Sequence, residues 1–405
     1  VNNKKTIIVA GGGPAGLMAA WRLAPHFRVL VFEKENTCGR KFLVAGKGGL
    51  NITNSTGGDA LFSRYIPGGF ADEALTLFGP QQLQDWLSAL GIPTYTGSSG
   101  RVFPIRELKA SEVLRRMIAS VVSRGAGFYL NHRLVSFDQE MKFIFDTPDG
   151  NKVVKADYAV LAFGGASWPV TGSDGKWTNM LNSCGIETLK FQPSNCGVEI
   201  DWPPAVLEFH EGKPLKNVEL SVNGKTSKGE VLITACGLEG NALYPLIPGI
   251  RQSLAEGEVP VLTIDFKPFN QPAQLMKRLG NAKPGSSAYL KCFGLSPQAL
   301  AVVKAVTGKE EYLNCGLFVS KLKGAPVKIK ALRPLEEAIS SVGGLSLSEI
   351  SGDYSLRKFP RIFAIGEMLD WDAPTGGFLL QACFSMGYFA GTALLKREGF
   401  WSAFE

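Results

Sequence analysis

Residues 6–33 read TIIVAGGGPAGLMAAWRLAPHFRVLVFE. An apolar, β-branched run (6–10) meets a glycine turn. A stretch with helical apolar spacing follows (15–23), then a second apolar run (28–32). The order is strand, turn, helix, strand, a βαβ unit. Gly11, Gly13 and Gly16 stand at G-x-G-x-x-G spacing, and Glu33 closes the second strand. Each position has a physical task in a dinucleotide site. Gly11 permits the tight turn, Gly13 lets backbone approach a pyrophosphate, and Gly16 lets the helix lie close to the strand. The unpaired N–H groups of the first helical turn, which Pro14 opens and which donates from Ala15 onward, take up the phosphate charge. Glu33, with Lys34 beside it, is placed to accept hydrogen bonds from an adenosine ribose, and its charge repels a 2′-phosphate. FAD or NAD is expected rather than NADP.

Farther along, residues 158–163 form a buried apolar run that ends in Gly164-Gly165, and residues 361–365 form another that ends in Gly366-Glu367. An NAD domain is normally one contiguous block. Strands drawn from the middle and far end of the chain suit a long, extended flavin cofactor, so FAD is expected. Gly376-Gly377-Phe378 opens an apolar helix whose positive end would face the isoalloxazine, stabilising the negative charge that builds up on reduction. Between about 189 and 342 the pattern changes to alternating strands with turns such as Asn223-Gly224, and then to helices. The expected organisation is an α/β FAD-binding Rossmann domain made of 1–188 and 343–405. An inserted region, 189–342, is expected to be β-rich over 189–265 and 315–342 and helical over 266–314. The glycine-rich stretch 39–54 is expected to be loop.

The composition narrows the function classes. Among 405 residues, 45% are hydrophobic and the net charge is +7, with the two signs interspersed rather than gathered in tails. Neither disorder nor a nucleic-acid partner is expected. The densest basic stretch, Lys321, Lys323, Lys328, Lys330 and Arg333, alternates with apolar residues as on a solvated strand face. Seven cysteines without a C-x-x-C pair suggest a reducing, cytoplasmic setting, and three scattered histidines give no metal set. Two apolar stretches imitate membrane signals. Glycines and Pro14 break the first at 11–14. The second, 373–395, contains Gly387-x-x-x-Gly391 but is interrupted by Pro374, Gln381 and Ser385. A buried core helix is expected there, and no membrane partner.

Five motifs carry a family resemblance: Gly11 to Ala20, Gly39 to Asn54, Gly100-Arg-Val-Phe-Pro104, Leu161 to Pro169, and Gly366 to Phe378. Their order over nearly the whole chain resembles the bacterial YhiN/BaiN-like flavoproteins, the aminoacetone-oxidase-type FAD-binding family. The resemblance implies a glutathione-reductase-type FAD domain with an inserted β-barrel-like and helical region. It places the pyrophosphate at Gly13 to Gly16, the ribose at Glu33, and phosphate or ribityl contacts at Arg40 and Lys41. It also sets the flavin against Gly48, Gly49 and Asn51, the adenine against Leu134, and the ribityl and ring against Glu367, Asp370, Gly377 and Phe378. Gly164, Gly165, Gly366 and Gly376 join the cofactor-binding set. Where the family loop usually reads Gly-Arg-Cys-Asn, this chain has Gly48-Gly49-Leu50-Asn51. Compared with the related disulfide reductases, Gly49 and Asn54 occupy the two redox-cysteine positions, so no dithiol relay is expected there, and Cys38 is expected to be a lone buried thiol.

The expected activity is that of an FAD-dependent oxidoreductase exchanging a hydride between flavin N5 and a small-molecule substrate, with NAD(P)H or O₂ as a transient second partner. The alternative is an FAD-containing binding or structural protein, for example an RNA-associated one. Asn51, Arg101, Trp168, Asp370 and Trp371 are the candidates near the ring, as hydrogen-bond donors, anion anchor, pocket walls and proton acceptor.

Overall fold

The computed structural model describes residues 4–46 and 49–400. The chain divides into two compact units, Val1–Gln192 with Ser340–Glu405, and Pro193–Ile339.

The first unit is built on a parallel sheet of β1 (Thr6–Ala10), β2 (Arg28–Phe32), β6 (Gly127–Tyr129), β10 (Tyr158–Leu161) and a return strand, Ile362–Ala364. The spatial order is return strand, β10, β1, β2, β6. Ile8 stands opposite Ala159, Val9 opposite Val160, and Thr6 opposite Arg28. Ile7, Ile8, Val9 and the apolar residues of β10 are fully buried, because helices cover both faces of such a sheet. Helix α1 (Pro14–Leu23) packs on it with Pro14 in its first turn, where the missing N–H costs nothing. Two small antiparallel sheets flank this core. One is β7 (Arg133–Phe137), β8 (Lys142–Thr147) and β9 (Gly150–Lys155). The other orders β3 (Thr53–Asn54), β5 (Arg101–Pro104) and β4 (Thr94–Thr96).

A long helix, Phe378–Arg397, lies against α1. It is long and apolar enough to cross a membrane, yet 72% of its apolar window is buried inside the structure. Its two glycines explain the close approach. A Cβ on Gly387 would stand 2.4 Å from the Ala15 carbonyl oxygen, and one on Gly391 would stand 3.0 Å from the Arg22 side chain. The Gly-x-x-x-Gly spacing serves helix packing within the unit. Residues 373–377, read as part of this helix in the sequence, lie outside it.

The second unit carries a seven-stranded sheet and its own apolar core. Asn223 and Gly224 both have positive φ and turn the hairpin between Pro214–Val222 and Lys225–Thr234. Two expectations are corrected. Cys315–Lys323 is a helix rather than strand, so Lys321 and Lys323 lie on a helix. The basic stretch is largely neutralised by partners distant in sequence: Lys321 with Glu311 at 3.4 Å, Lys323 with Asp265 at 2.5 Å, Lys330 with Asp201 at 3.2 Å, and Arg333 with Glu199 at 2.8 Å. In the first unit, the glycine-rich stretch expected to be loop contains a short helix, α2 (Arg40–Ala45), entered through Gly39 at φ 67°.

Candidate cofactor and active site

The first unit holds a cavity of about 510 Å³ at the carboxyl ends of its parallel strands. That is where open α/β sheets bind ligands. Gly11, Gly13, Pro14 and Ala15 line it from the β1–α1 turn, Glu33 and Lys34 from the end of β2, and Leu134 from β7. Gly164 follows β10, and Gly366 and Glu367 follow the return strand.

The glycines of the turn are there for different reasons. A Cβ on Gly11, at φ 113°, would fall 2.2 Å from the Ala162 carbonyl oxygen, and one on Gly16 would fall 2.0 Å from the Gly11 carbonyl oxygen. Both positions exclude a side chain because backbone meets backbone. Gly13 has open space instead, with nothing within 4 Å.

Glu33 is fixed by two backbone donors. Gly12 N–H reaches Oε2 at 2.8 Å and Glu35 N–H reaches Oε1 at 3.0 Å. Burial pushes its carboxyl above the usual range, against the pull of those two bonds. The carboxylate lines the cavity with lone pairs left to accept further hydrogen bonds.

Three of the cations that line the cavity are paired with carboxylates. Lys34 meets Asp174 at 3.0 Å. Arg40 pairs with Glu35 and donates to the Val170 carbonyl at 2.9 Å. Lys41 donates to both oxygens of Glu367, at 2.8 and 2.9 Å, and to Ser167 Oγ at 2.8 Å.

The remaining candidates fall elsewhere in the unit. Gly165 has no room for a side chain, since its Cβ would meet Ser341 Oγ and the Glu367 carboxyl. Asp370 accepts from Gly343 N–H at 2.9 Å. Trp371 is 2% exposed, packs on Phe70 and Tyr65, and donates to the Gly366 carbonyl at 2.9 Å. It holds the return-strand turn from behind rather than forming a wall of the cavity. Trp168, at φ 60°, is half-buried and leads into a single helical turn.

Asn51, Arg101, Gly376, Gly377 and Phe378 gather where β3 and β5 meet the start of the long helix. Asn51 Nδ2 donates to the Thr53 and Val102 carbonyls, at 2.8 and 3.0 Å. Its Oδ1 is buried with no partner among the described residues. Asn54 Nδ2 donates to the Gly376 carbonyl at 3.0 Å. Gly377, at φ 92°, presses on β3, and a Cβ there would lie 2.3 Å from the Thr53 carbonyl oxygen. Gly49, at φ 105°, lies near the Phe103 ring. Gly48 lies outside the described residues.

Sequence reasoning missed one wall. Residues 171–174, 176, 177, 179 and 180 also line the cavity, and Ser173 is 7% exposed, with its buried Oγ lacking a hydrogen-bond partner among the described residues. The only signal was the turn-forming run Gly172-Ser-Asp-Gly175. Cys38 is buried against Gly12, and burial, helped by the charge of Glu33, pushes its thiol up to about 12. No group of three or more His, Cys, Asp or Glu side chains among the described residues is placed to hold a metal ion.

Fold and site together define a Rossmann-type FAD-binding domain of the flavin-dependent oxidoreductase class. The chain belongs to the family described as HI0933-like protein Rossmann domain, which it matches over residues 5–393. It is 24% identical over 411 residues to a 3-dehydro-bile acid delta(4,6)-reductase of Clostridium scindens, covering 96% of this chain and 98% of the relative. It is 23% identical over 404 residues to a ribosomal RNA dihydrouridine synthase of Escherichia coli, with the same coverage. Among solved structures, the fold is similar to a 3-ketosteroid delta1-dehydrogenase from Sterolibacterium denitrificans at TM-score 0.53 and 14% identity, covering 98% of this chain and 100% of the other. It is likewise similar to a 3-ketosteroid-delta4-(5alpha)-dehydrogenase from Rhodococcus jostii at TM-score 0.52 and 15% identity, covering 96% of each chain.

The residues present suit FAD. Gly13 leaves space beside the first turn of α1, Glu33 offers acceptor lone pairs, and Ser173 Oγ in the same cavity has no partner among the described residues.

Proposed function

We propose that the chain binds FAD in this cavity and exchanges a hydride between flavin N5 and a carbon–carbon double bond conjugated to a carbonyl. The observation that carries this is one cavity lined jointly by the Gly11–Gly16 turn, Glu33, Leu134 and the Gly366-Glu367 turn. Those features belong to the two halves of an extended dinucleotide site. The reading is supported by the names of two relatives described above, a delta(4,6)-reductase of a 3-dehydro-bile acid and a dihydrouridine synthase.

When bound, FAD supplies two-electron chemistry. The chain supplies the rest. The start of α1 takes the pyrophosphate charge, Glu33 the ribose, and Leu134 the adenine face, while the Lys41–Glu367 pair holds the ribityl side. The first turn of the long helix carries no acidic residue, so its positive end would favour the negative charge that builds up on a flavin held beside it. Trp371 and Asn54 fix the turns around it. NAD(P)H is the proposed transient reductant, O₂ the alternative acceptor, and the cytoplasm the proposed location.

A second reading, an RNA base as the substrate, is favoured by one patch of the second unit. Phe269 is 77% exposed there, with the Lys228 ammonium 5.5 Å from its ring. Lys216 and Lys267 line a polar pocket beside it, and Lys277 and Arg278 line a shallow one. Exposed aromatics among cations are a platform for single-stranded nucleic acid.

The test is sequential. Purified protein should be yellow and release FAD on denaturation, and anaerobic NADH or NADPH should bleach it. Reoxidation is then compared between a steroid-type enone and ribosomal RNA. Release of NAD alone would overturn the flavin assignment, and a flavin that no reductant bleaches would indicate a binding protein.

A further inference from the structure

The geometry points to Arg101 as the anchor for the substrate's carbonyl oxygen, the atom on which negative charge accumulates as a conjugated double bond takes up hydride. This rests on the FAD-dependent reading above. Arg101 lies on β5 directly opposite Asn54 of β3. Its Nε is 3.7 Å from where a Cβ of Gly376 would stand, so the side chain lies beside the turn that opens the long helix.

Other residues already hold that turn. Thr53 backbone packs against Gly377, Asn54 Nδ2 donates to the Gly376 carbonyl, and Tyr65 Oη donates to the Phe378 carbonyl at 3.0 Å. None of these contacts uses the guanidinium. Arg101 is half-buried and, among the described residues, its side chain makes no hydrogen bond or ion pair, whereas Lys34, Arg40 and Lys41 of the same unit each have a carboxylate. A guanidinium is always charged and carries five donors in a fixed fork, so a partly desolvated one without a partner is poised for an anionic oxygen. A second cation, Arg64, stands 5.6 Å from the Phe378 ring and adds positive charge to the mouth of the same turn.

The chemistry follows from charge balance. Hydride adds to the far carbon of the double bond, the bond's electron pair moves onto the carbonyl oxygen, and a solvent proton is taken up at the near carbon. The two electrons come from reduced flavin. A fixed cation at the oxygen lowers the energy of the charged species. It does nothing comparable for the neutral substrate, so Arg101 selects substrates that have a carbonyl in conjugation.

A phenol tests this, because bound as phenolate beside oxidised flavin it gives a long-wavelength charge-transfer band. FAD-loaded wild type, Arg101→Gln and Arg101→Lys are titrated with 4-chlorophenol across pH, with FAD content and midpoint potential measured in parallel. An adjacent cation should lower the bound phenol's apparent pKa by about 1 to 3 units below its free value. Arg101→Gln should abolish most of that shift and Arg101→Lys should keep part of it, with FAD content and potential unchanged in both. The proposal is overturned if wild type shows no shift, or if Arg101→Gln keeps it. It is also overturned if Arg101→Gln lowers the midpoint potential or FAD content, for then the charge serves the cofactor. A wild type that retains no FAD overturns the underlying reading instead, and is recognised at the first absorbance scan.

Discussion

Glu33→Gln separates the two duties of the residue on which the dinucleotide assignment turns. In the folded chain the carboxylate receives Gly12 N–H on one oxygen and Glu35 N–H on the other. The amide keeps one acceptor oxygen, so one N–H loses its partner at a cost of about 1 to 3 kcal/mol. Removing a carboxylate whose pKa burial has raised offsets part of that cost. The stability of the FAD-free protein is therefore expected to fall by no more than about 2 kcal/mol. FAD binding should suffer more, because hydrogen bonds from the ribose hydroxyls to a charged acceptor are worth about 1.5 to 3 kcal/mol, or about tenfold to 150-fold in Kd. The sign of the pH dependence is a second check. With its folded pKa raised, Glu33 binds a proton more readily in the folded than in the unfolded chain. Its contribution to the stability of the FAD-free protein thus falls as pH rises from the ordinary carboxylate range through the raised pKa. FAD, which needs the ionised form, should bind more weakly as pH falls through that same window. Glu33→Gln should lose both slopes. Kd comes from quenching of FAD fluorescence on titration into the FAD-free protein, and stability from urea unfolding with and without FAD. A variant Kd within about threefold of wild type, with an unchanged pH slope, would refute a ribose contact and leave Glu33 only its backbone duty.

Cys38, its thiol pushed up to about 12 and its side chain buried, should resist alkylation at neutral pH while the exposed Cys236 reacts; peptide mass spectrometry reads both, and flavin reduction should survive Cys38→Ala. Gly387→Ala should destabilise the first unit by about 1 to 3 kcal/mol, because its Cβ would meet α1 backbone. Gly391→Ala, which is crowded by the Arg22 side chain and meets the Ala19 carbonyl only at an ordinary 3.7 Å, should stay within about 1 kcal/mol once the helix propensity gained is included, and thermal melts compare the two. Gly377→Ala should reduce FAD retention after dialysis, since both its φ of 92° and the Thr53 carbonyl oppose a side chain.

The βαβ unit was legible because everything it needs lies within residues 6–33: apolar runs, three glycines and an acid at the end of the next strand. The long helix was legible for a related reason. Its interruptions argued against a lipid environment, and its glycine pair does meet a helix, α1, inside the same unit. The helix at Cys315–Lys323 was misread because Lys-Leu-Lys looks like strand alternation over so short a span, whereas the acids that pair with Lys321 and Lys323 come from residues 311 and 265. The wall containing Ser173 was invisible for the opposite reason. Its significance lies in a missing partner, which only the folded chain can show. Glycines divide in the same way. Gly11 and Gly16 are explained by one another and by Ala162, close to what the motif itself implies. Gly165 owes its lack of a side chain to Ser341 and Glu367, and Gly377 to Thr53, contacts that no spacing rule contains. That difference decides which substitutions can test the flavin site. Gly377→Asp would place a negative charge where the reduced flavin's own charge develops, but it would first drive β3 away from the helix start, so any change in potential would mix two causes. Arg101→Gln and Glu33→Gln each change a side chain's charge without forcing a Cβ onto backbone, so the oxyanion contact and the ribose contact are tested without the displacement of β3 that a side chain at Gly377 would cause.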